Sequence, residues 1–222
     1  MDGILLIDKP KGWTSHDVVA KVRSTLKKEA GKKIKVGHTG TLDPMATGLL
    51  VLVTGSYTKR AGEFSKLDKV YEAALRLGQT SNTGDAEGEI TPVSDTVPDK
   101  KAVREALEGF RGEIEQIPPA YSAVKVGGKR AYKLAREGKE VKIEPRRVKV
   151  YEITDINYDY PLVSFTVKVS SGTYIRSLAQ DIGEKLSTGA YLAGLKRIQI
   201  GDFSIKKSVS PIEANIDKIV KI

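Results

Sequence analysis

The chain has 222 residues, 40% of them hydrophobic, and its 37 lysines and arginines exceed its 28 acidic residues to give a net charge of +9. That is apolar enough for a buried core and excludes global disorder, while the basic excess favours a polyanionic partner. With no cysteine and only two histidines, disulfides, thiolate–metal centres and histidine-based zinc sites are excluded, and no apolar run approaches the roughly eighteen residues that span a bilayer.

Residues 1–8 carry no basic region and become acidic too early for a secretory signal, so a cytoplasmic protein is expected. Residues 3–7 read as a short buried strand, and Asp8-Lys9-Pro10-Lys11-Gly12 as a turn. Thr14-Ser15 offers an N-cap with Asp17 in the first turn, and Val18, Val19, Val22 and Leu26 follow at helical spacing. His16 reads as a surface or capping residue of that helix.

The stretch Gly37-His38-Thr39-Gly40-Thr41-Leu42-Asp43-Pro44-Met45-Ala46-Thr47-Gly48 sets one carboxylate among glycines, threonines and a proline, immediately before the apolar run of residues 49–53. Glycine permits close backbone approach, and Pro44 biases Asp43 towards an extended or turning conformation. Such a loop, anchored by a buried strand, can aim one carboxylate in a fixed direction.

Further on, Tyr71, Ala73, Leu75 and Leu77 alternate with Glu72 and Arg76 as a half-buried strand requires. Residues 80–88 form an acidic, turn-rich loop containing Asp85 and Glu87. A helix is expected from near Asp99, burying Val103, Ala106, Leu107 and Phe110. Residues 120–126 resemble a strand closed by Gly127-Gly128.

Between Lys125 and Lys149 there are ten positive and three negative residues, so this arm holds +7 of the chain's +9. Tyr121, Tyr132 and Tyr151 bracket or interrupt it. Clustered cations release counterions on binding phosphate, and tyrosines stack unpaired bases.

Val163, Phe165, Val167 and Val169 form another half-buried strand, leading into Ser171-Gly172-Thr173-Tyr174-Ile175-Arg176. There Ser171 or Thr173 can cap a helix whose apolar stripe is Ile175, Leu178, Ala179, Ile182 and Leu186. Arg176 falls in its first turn, where a cation opposes the helix dipole, which suggests a fixed acidic partner. A strand is expected from Leu195 to Phe203, and Ser210-Pro211-Ile212-Glu213 carries a strong helix-start signature. Strands separated irregularly by helices indicate an α+β fold.

Five ordered blocks resemble the TruB-type tRNA pseudouridine-55 synthases. They are residues 8–19, the Asp43 loop, Lys69-Val70-Tyr71-Glu72-Ala73, Pro118-Pro119-Ala120-Tyr121-Ser122-Ala123-Val124-Lys125, and Ser171-Gly172-Thr173-Tyr174-Ile175-Arg176-Ser177-Leu178. The resemblance implies a pseudouridine synthase fold, a central mixed, largely antiparallel sheet flanked by helices with a basic thumb insertion at about 119–148. It implies one catalytic domain over residues 1–222, without the C-terminal PUA domain that many bacterial members carry. A monomer is expected.

In roles, the resemblance makes Asp43 the nucleophile, Tyr71 the tyrosine against the target base and Arg176 the arginine pairing with the aspartate. Leu195 corresponds to an apolar residue near the flipped base, and His38 to the histidine that holds the RNA loop. The RNA- and substrate-binding set is completed by Lys9, Gly40, Thr41, Tyr121, Lys125, Lys129, Arg130, Arg146, Arg147, Tyr174 and Arg197. Ile198 stands where family members commonly carry Thr.

The implied partner is the T-stem-loop of tRNA, with no membrane, metal or cofactor, since the isomerisation transfers neither electrons nor a group between molecules. Attack by Asp43 on the ribose C1′ or the base C6 is left open. Two other readings compete: a non-catalytic RNA-binding module using the same arm, and a carboxylate-dependent nuclease or glycosidase. The second would ordinarily need several clustered acids for a metal nuclease, or two carboxylates for a glycosidase.

Overall fold

The computed structural model describes residues 1–139 and 141–221, so Glu140 of the basic arm lies outside the described residues. In chain order the elements begin β1 (Gly3–Lys9), α1 (Ser15–Ala30), β2 (Val36–His38), β3 (Thr47–Thr54), α2 (Ala61–Ser65) and β4 (Lys69–Leu77). Then come β5 (Gln79–Ser81), β6 (Ile90–Pro92), α3 (Lys100–Glu108), β7 (Gly112–Gln116), β8 (Lys125–Val126), β9 (Lys129–Arg130) and α4 (Ala131–Arg136). The last are β10 (Arg146–Asp159), β11 (Leu162–Val169), α5 (Ile175–Lys185), β12 (Ala190–Ile200) and β13 (Phe203–Ser204).

The fold is α+β. A nine-stranded mixed sheet follows the order β1-β3-β12-β4-β11-β10-β7, with β2 on β3 and β13 on β12. The chain forms two compact units, residues 1–72 with the segment from Leu195 onward, and residues 73–194.

In the first unit β3 is apolar on both faces, and the packing explains why. Leu50 and Leu52 join Leu5, Ile7, Val18, Val22 and Leu26 in one core, while Leu49, Val51 and Val53 join Ile4, Phe64 and Ile200 in another. Strands β1 and β2 pair antiparallel with β3, and β12 runs parallel to it through Lys196↔Thr47 and Arg197↔Gly48. Helix α1 starts as expected: Thr14 accepts from the Asp17 amide, and the Asp17 carboxylate accepts from the Thr14 amide in a full capping box. Its four apolar positions are all buried, and His16 is exposed.

In the second unit β10 pairs antiparallel with both β7 and β11. The alternation of β11 holds, with Val163, Phe165, Val167 and Val169 buried. Helix α3 is capped by Asp99 and buries Val103, Ala106 and Leu107; Phe110 lies beyond its end, half-buried beneath the Lys185 ammonium.

Four sequence expectations need correction. The strand over residues 120–126 shrinks to Lys125–Val126, hairpinned to β9. Its carbonyls are taken elsewhere: Arg176 donates to Tyr121 O, and the Tyr132 amide to Ser122 O. Helix α5 is capped by neither Ser171 nor Thr173. Its N-cap is Tyr174, whose amide donates to Gln116 Oε1 at 2.7 Å and whose carbonyl accepts from Gln116 Nε2 at 3.1 Å. Strand β12 starts at Ala190, ahead of Leu195.

The fourth correction concerns Ser210-Pro211-Ile212-Glu213, which makes its capping-box bonds without starting a helix. Ser210 N and Oγ donate to Glu213 Oε2 at 3.1 and 2.7 Å, yet only a turn follows. The chain instead buries Ala214 against α1 and β1 side chains, a tertiary contact that outweighs the local signal.

Candidate active site

Asp43 opens a turn at the tip of the β2–β3 connection. The Ala46 amide donates to Asp43 O at 3.1 Å, which places Pro44 at the position of a turn where its fixed φ costs nothing. Leu42, Met45 and Ala46 are buried around it, whereas Asp43 itself is half-buried and not sealed beneath the core.

The backbone of this loop is held on several sides. Ser15 Oγ donates to Leu42 O at 3.1 Å and accepts from the Leu42 amide at 2.8 Å. The Gly12 amide donates to Pro44 O at 2.8 Å. Lys9 Nζ reaches Pro44 O at 3.3 Å and also donates to Pro10 O and Trp13 O, at 3.0 and 2.6 Å. From β12, Arg197 donates through Nε to Leu49 O at 2.8 Å and through Nη2 to Gly40 O at 3.0 Å.

These contacts revise the roles of two residues. The sequence reading counts Lys9 and Arg197 among the RNA contacts, but they are 0% and 1% exposed and their donors meet backbone carbonyls. They brace the Asp43 loop. A buried cation must find acceptors, because an uncompensated one is strongly disfavoured. Burial, and next the charge of Arg197, hold the His38 imidazole below its usual pKa of 6.5, so it is largely neutral at pH 7. Its Nδ1 is buried without a hydrogen-bond partner among the described residues.

Tyr71 is buried on the apolar face of β4, Leu195 is half-buried on β12, and Thr41 is exposed in the loop. In the second unit Arg176 is the centre of a network. Its Nη1 lies 3.4 Å from Asp85 Oδ2 and donates to Thr83 O at 3.1 Å, and its Nη2 donates to Tyr121 O at 2.8 Å. Asp85 Oδ1 accepts from Thr83 Oγ1 at 2.7 Å and from the Glu87 amide at 3.1 Å. Gly84 between them has φ +77°, and a Cβ there would press on Gln180 at 3.3 Å, so glycine is required.

Asp85 is therefore an acidic partner of Arg176, one that the sequence reading treats only as an acid of the turn-rich loop. The available signal was an acid two residues after a threonine and one after a glycine, the pattern of a tight side-chain-bonded turn. Ser15 and Gln116 were also missed as positioning groups, since neither residue type announces so remote a partner.

The arm places all ten of its positive side chains at the surface, including Lys125, Lys129, Arg130, Arg146 and Arg147. Its own small core is Val124, Ala131 and Ile143, against which Val126, Val141 and Tyr174 pack. Tyr121 and Tyr132 are half-buried, and Arg136 lies over the Tyr132 ring. Among the described residues no group of three or more metal-ligating side chains occurs, and no helix is long and apolar enough to cross a membrane.

A family model described as TruB family pseudouridylate synthase (N terminal domain) matches residues 25–175. A Clostridium kluyveri protein named tRNA pseudouridine synthase B is 48% identical over 221 residues, covering 100% of this chain and 75% of that one. A protein of the same name from Parabacteroides distasonis is 46% identical, covering 97% of this chain and 95% of its own. Among solved structures, a chain of a Cbf5-Nop10-Gar1 complex is similar with a TM-score of 0.71 and 32% identity over 94% of this chain. This chain spans 52% of that one, about half its length.

Proposed function

This chain belongs to the TruB family of pseudouridylate synthases, and we propose that it isomerises the T-loop uridine of tRNA, uridine 55, with Asp43 as nucleophile. Its α+β architecture is the pseudouridine synthase fold. The observation that carries the mechanistic reading is a half-buried carboxylate on a loop tied down by Ser15, Lys9 and Arg197. Catalysis gains most when a reacting group is held in place before the substrate arrives.

The chemistry balances within one molecule. The C1′–N1 bond breaks, the base turns, and a C1′–C5 bond forms; C5 gives up a proton and N1 gains one. A carboxylate that bonds covalently to the nucleoside divides this change into easier steps, and attack at C1′ or at C6 fits the same residue. The uridine must leave its stack to be reached. We assign Tyr71 to the face of the extruded base and Arg176 to the counter-charge that keeps the carboxylate ionised. The exposed cations of the arm are suited to phosphate, and its tyrosines to unpaired bases.

The test is turnover on a synthetic T-arm hairpin in metal-free buffer, with the product base identified by mass spectrometry. Asp43→Ala is expected to bind the hairpin and form no pseudouridine. Turnover by that variant would remove the nucleophile assignment, and binding without turnover by the unmodified chain would favour a non-catalytic RNA-binding module.

A further inference from the structure

Arg197 is unusual for a buried arginine, because the acceptors of its Nε and Nη2 are neutral carbonyls. They belong to Gly40 and Leu49, which stand on either side of Asp43 in the chain. The same residue's backbone lies against the loop's exit. Gly48 has φ +100°, and a Cβ there would fall 2.3 Å from Arg197 O. Only glycine allows β12 to approach β3 so closely at that point. One position on an interior strand thus meets the loop twice, through main chain at Gly48 and through side chain at both flanks.

We propose that Arg197 is a positioning residue for the reaction, a fork that fixes the distance between Gly40 and Leu49 and so the direction in which Asp43 is presented. The inference rests on the reading of Asp43 as nucleophile. A guanidinium suits the task because its nitrogens form a rigid plane, so two carbonyls bonded by Nε and Nη2 cannot shift independently. Lysine would bring the charge and most of the stem but a single nitrogen. A buried charge offset only by neutral dipoles stabilises a fold poorly compared with an apolar side chain, so sheet stability alone gives little reason for an arginine here.

The experiment compares Arg197→Lys and Arg197→Met with the unmodified chain by single-turnover rate on the T-arm hairpin, hairpin affinity, and thermal melting. Both variants are expected to melt above the assay temperature and bind RNA as before. The rate should fall by about 10- to 100-fold, as a displacement on the order of 1 Å in a reacting group would cause. Arg197→Met should also raise the His38 pKa towards its usual value, followed by imidazole NMR, whereas Arg197→Lys should leave it low, which checks that the lysine still sets its charge in the site. A merely structural role would not lower the rate while affinity and melting are kept.

Unchanged rates in both folded variants would overturn the proposal. So would rate losses that follow loss of RNA affinity, or loss of the fold in both, because Arg197 would then be a binding group or sheet cement. Asp43→Asn is measured alongside. If it retains turnover, the nucleophile assignment fails; if it is inactive while Arg197→Lys is fully active, only the present inference fails.

Discussion

The pair formed by Arg176 and Asp85 has side chains only 7% and 4% exposed. Each ion is there at a desolvation cost that the other helps to offset, so removing one leaves a buried charge less well compensated. Asp85→Leu is expected to lower stability by about 3–5 kcal/mol and to reduce turnover by freeing the Arg176 side chain. The double variant Asp85→Leu with Arg176→Met should recover much of the stability and none of the activity. Denaturant melts and the hairpin assay on the three proteins would show this, and equal activity loss without any stability loss in Asp85→Leu would refute it. Lys9 follows the same rule, with backbone carbonyls among its partners.

Helix α5 carries two groups that local helix chemistry would not choose. Arg176 sits in its first turn against the dipole, and its N-cap has no side-chain bond of its own. Lower on the helix Asp181 is pushed up to about 6 from 3.8, first by burial and then by Glu184. The folded chain then binds this proton more tightly than the unfolded chain does. Between pH 3.8 and about 6, stability falls as pH rises, and the penalty is complete above that window. Asp181→Asn should therefore raise the melting temperature at about pH 7.5 and give little or no gain near about pH 4. A gain of the same size at both pH values would show that the carboxylate's ionisation is not the cause. The interval between Ser210 and Glu213 teaches the complementary lesson: a capping box lowers the cost of starting a helix but cannot make one where the next residue is drawn into the core.

For the molecule as a whole, charge is sorted by place. The arm's ten cations are exposed, whereas Lys9, Lys69, Arg176 and Arg197 are buried and spend hydrogen bonds on the protein. Burial, and after it the charge of Arg197, lowers Lys69 to about 8, with Asp68 opposing them. Only the exposed group can release counterions from RNA. Replacing Lys129 and Arg130 with alanine should weaken hairpin binding and reduce the slope of log affinity against log salt by about one per lost phosphate contact. The chemical rate at saturating RNA should be unchanged. A titration series in salt checks this, and an unaltered slope would place the RNA elsewhere.

Much of this protein was legible in one dimension. The capping box of α1, the alternation of β4 and β11, the Asp43 turn before a doubly buried strand and the basic arm all depend on residues a few positions apart. Their periodicity and turn chemistry act locally. What the sequence could not reveal is which polar groups end up inside. Arg197 bonds Gly40 from 157 residues away and Arg176 bonds Thr83 from 93 residues away. An arginine carries the same charge at the surface or in the core; only the packing of distant segments decides whether its acceptors are phosphate oxygens or carbonyls. Tertiary structure alone therefore assigned Lys9 and Arg197 to the bracing of the loop, brought Asp85 to Arg176, and stopped the helix that Ser210 announces.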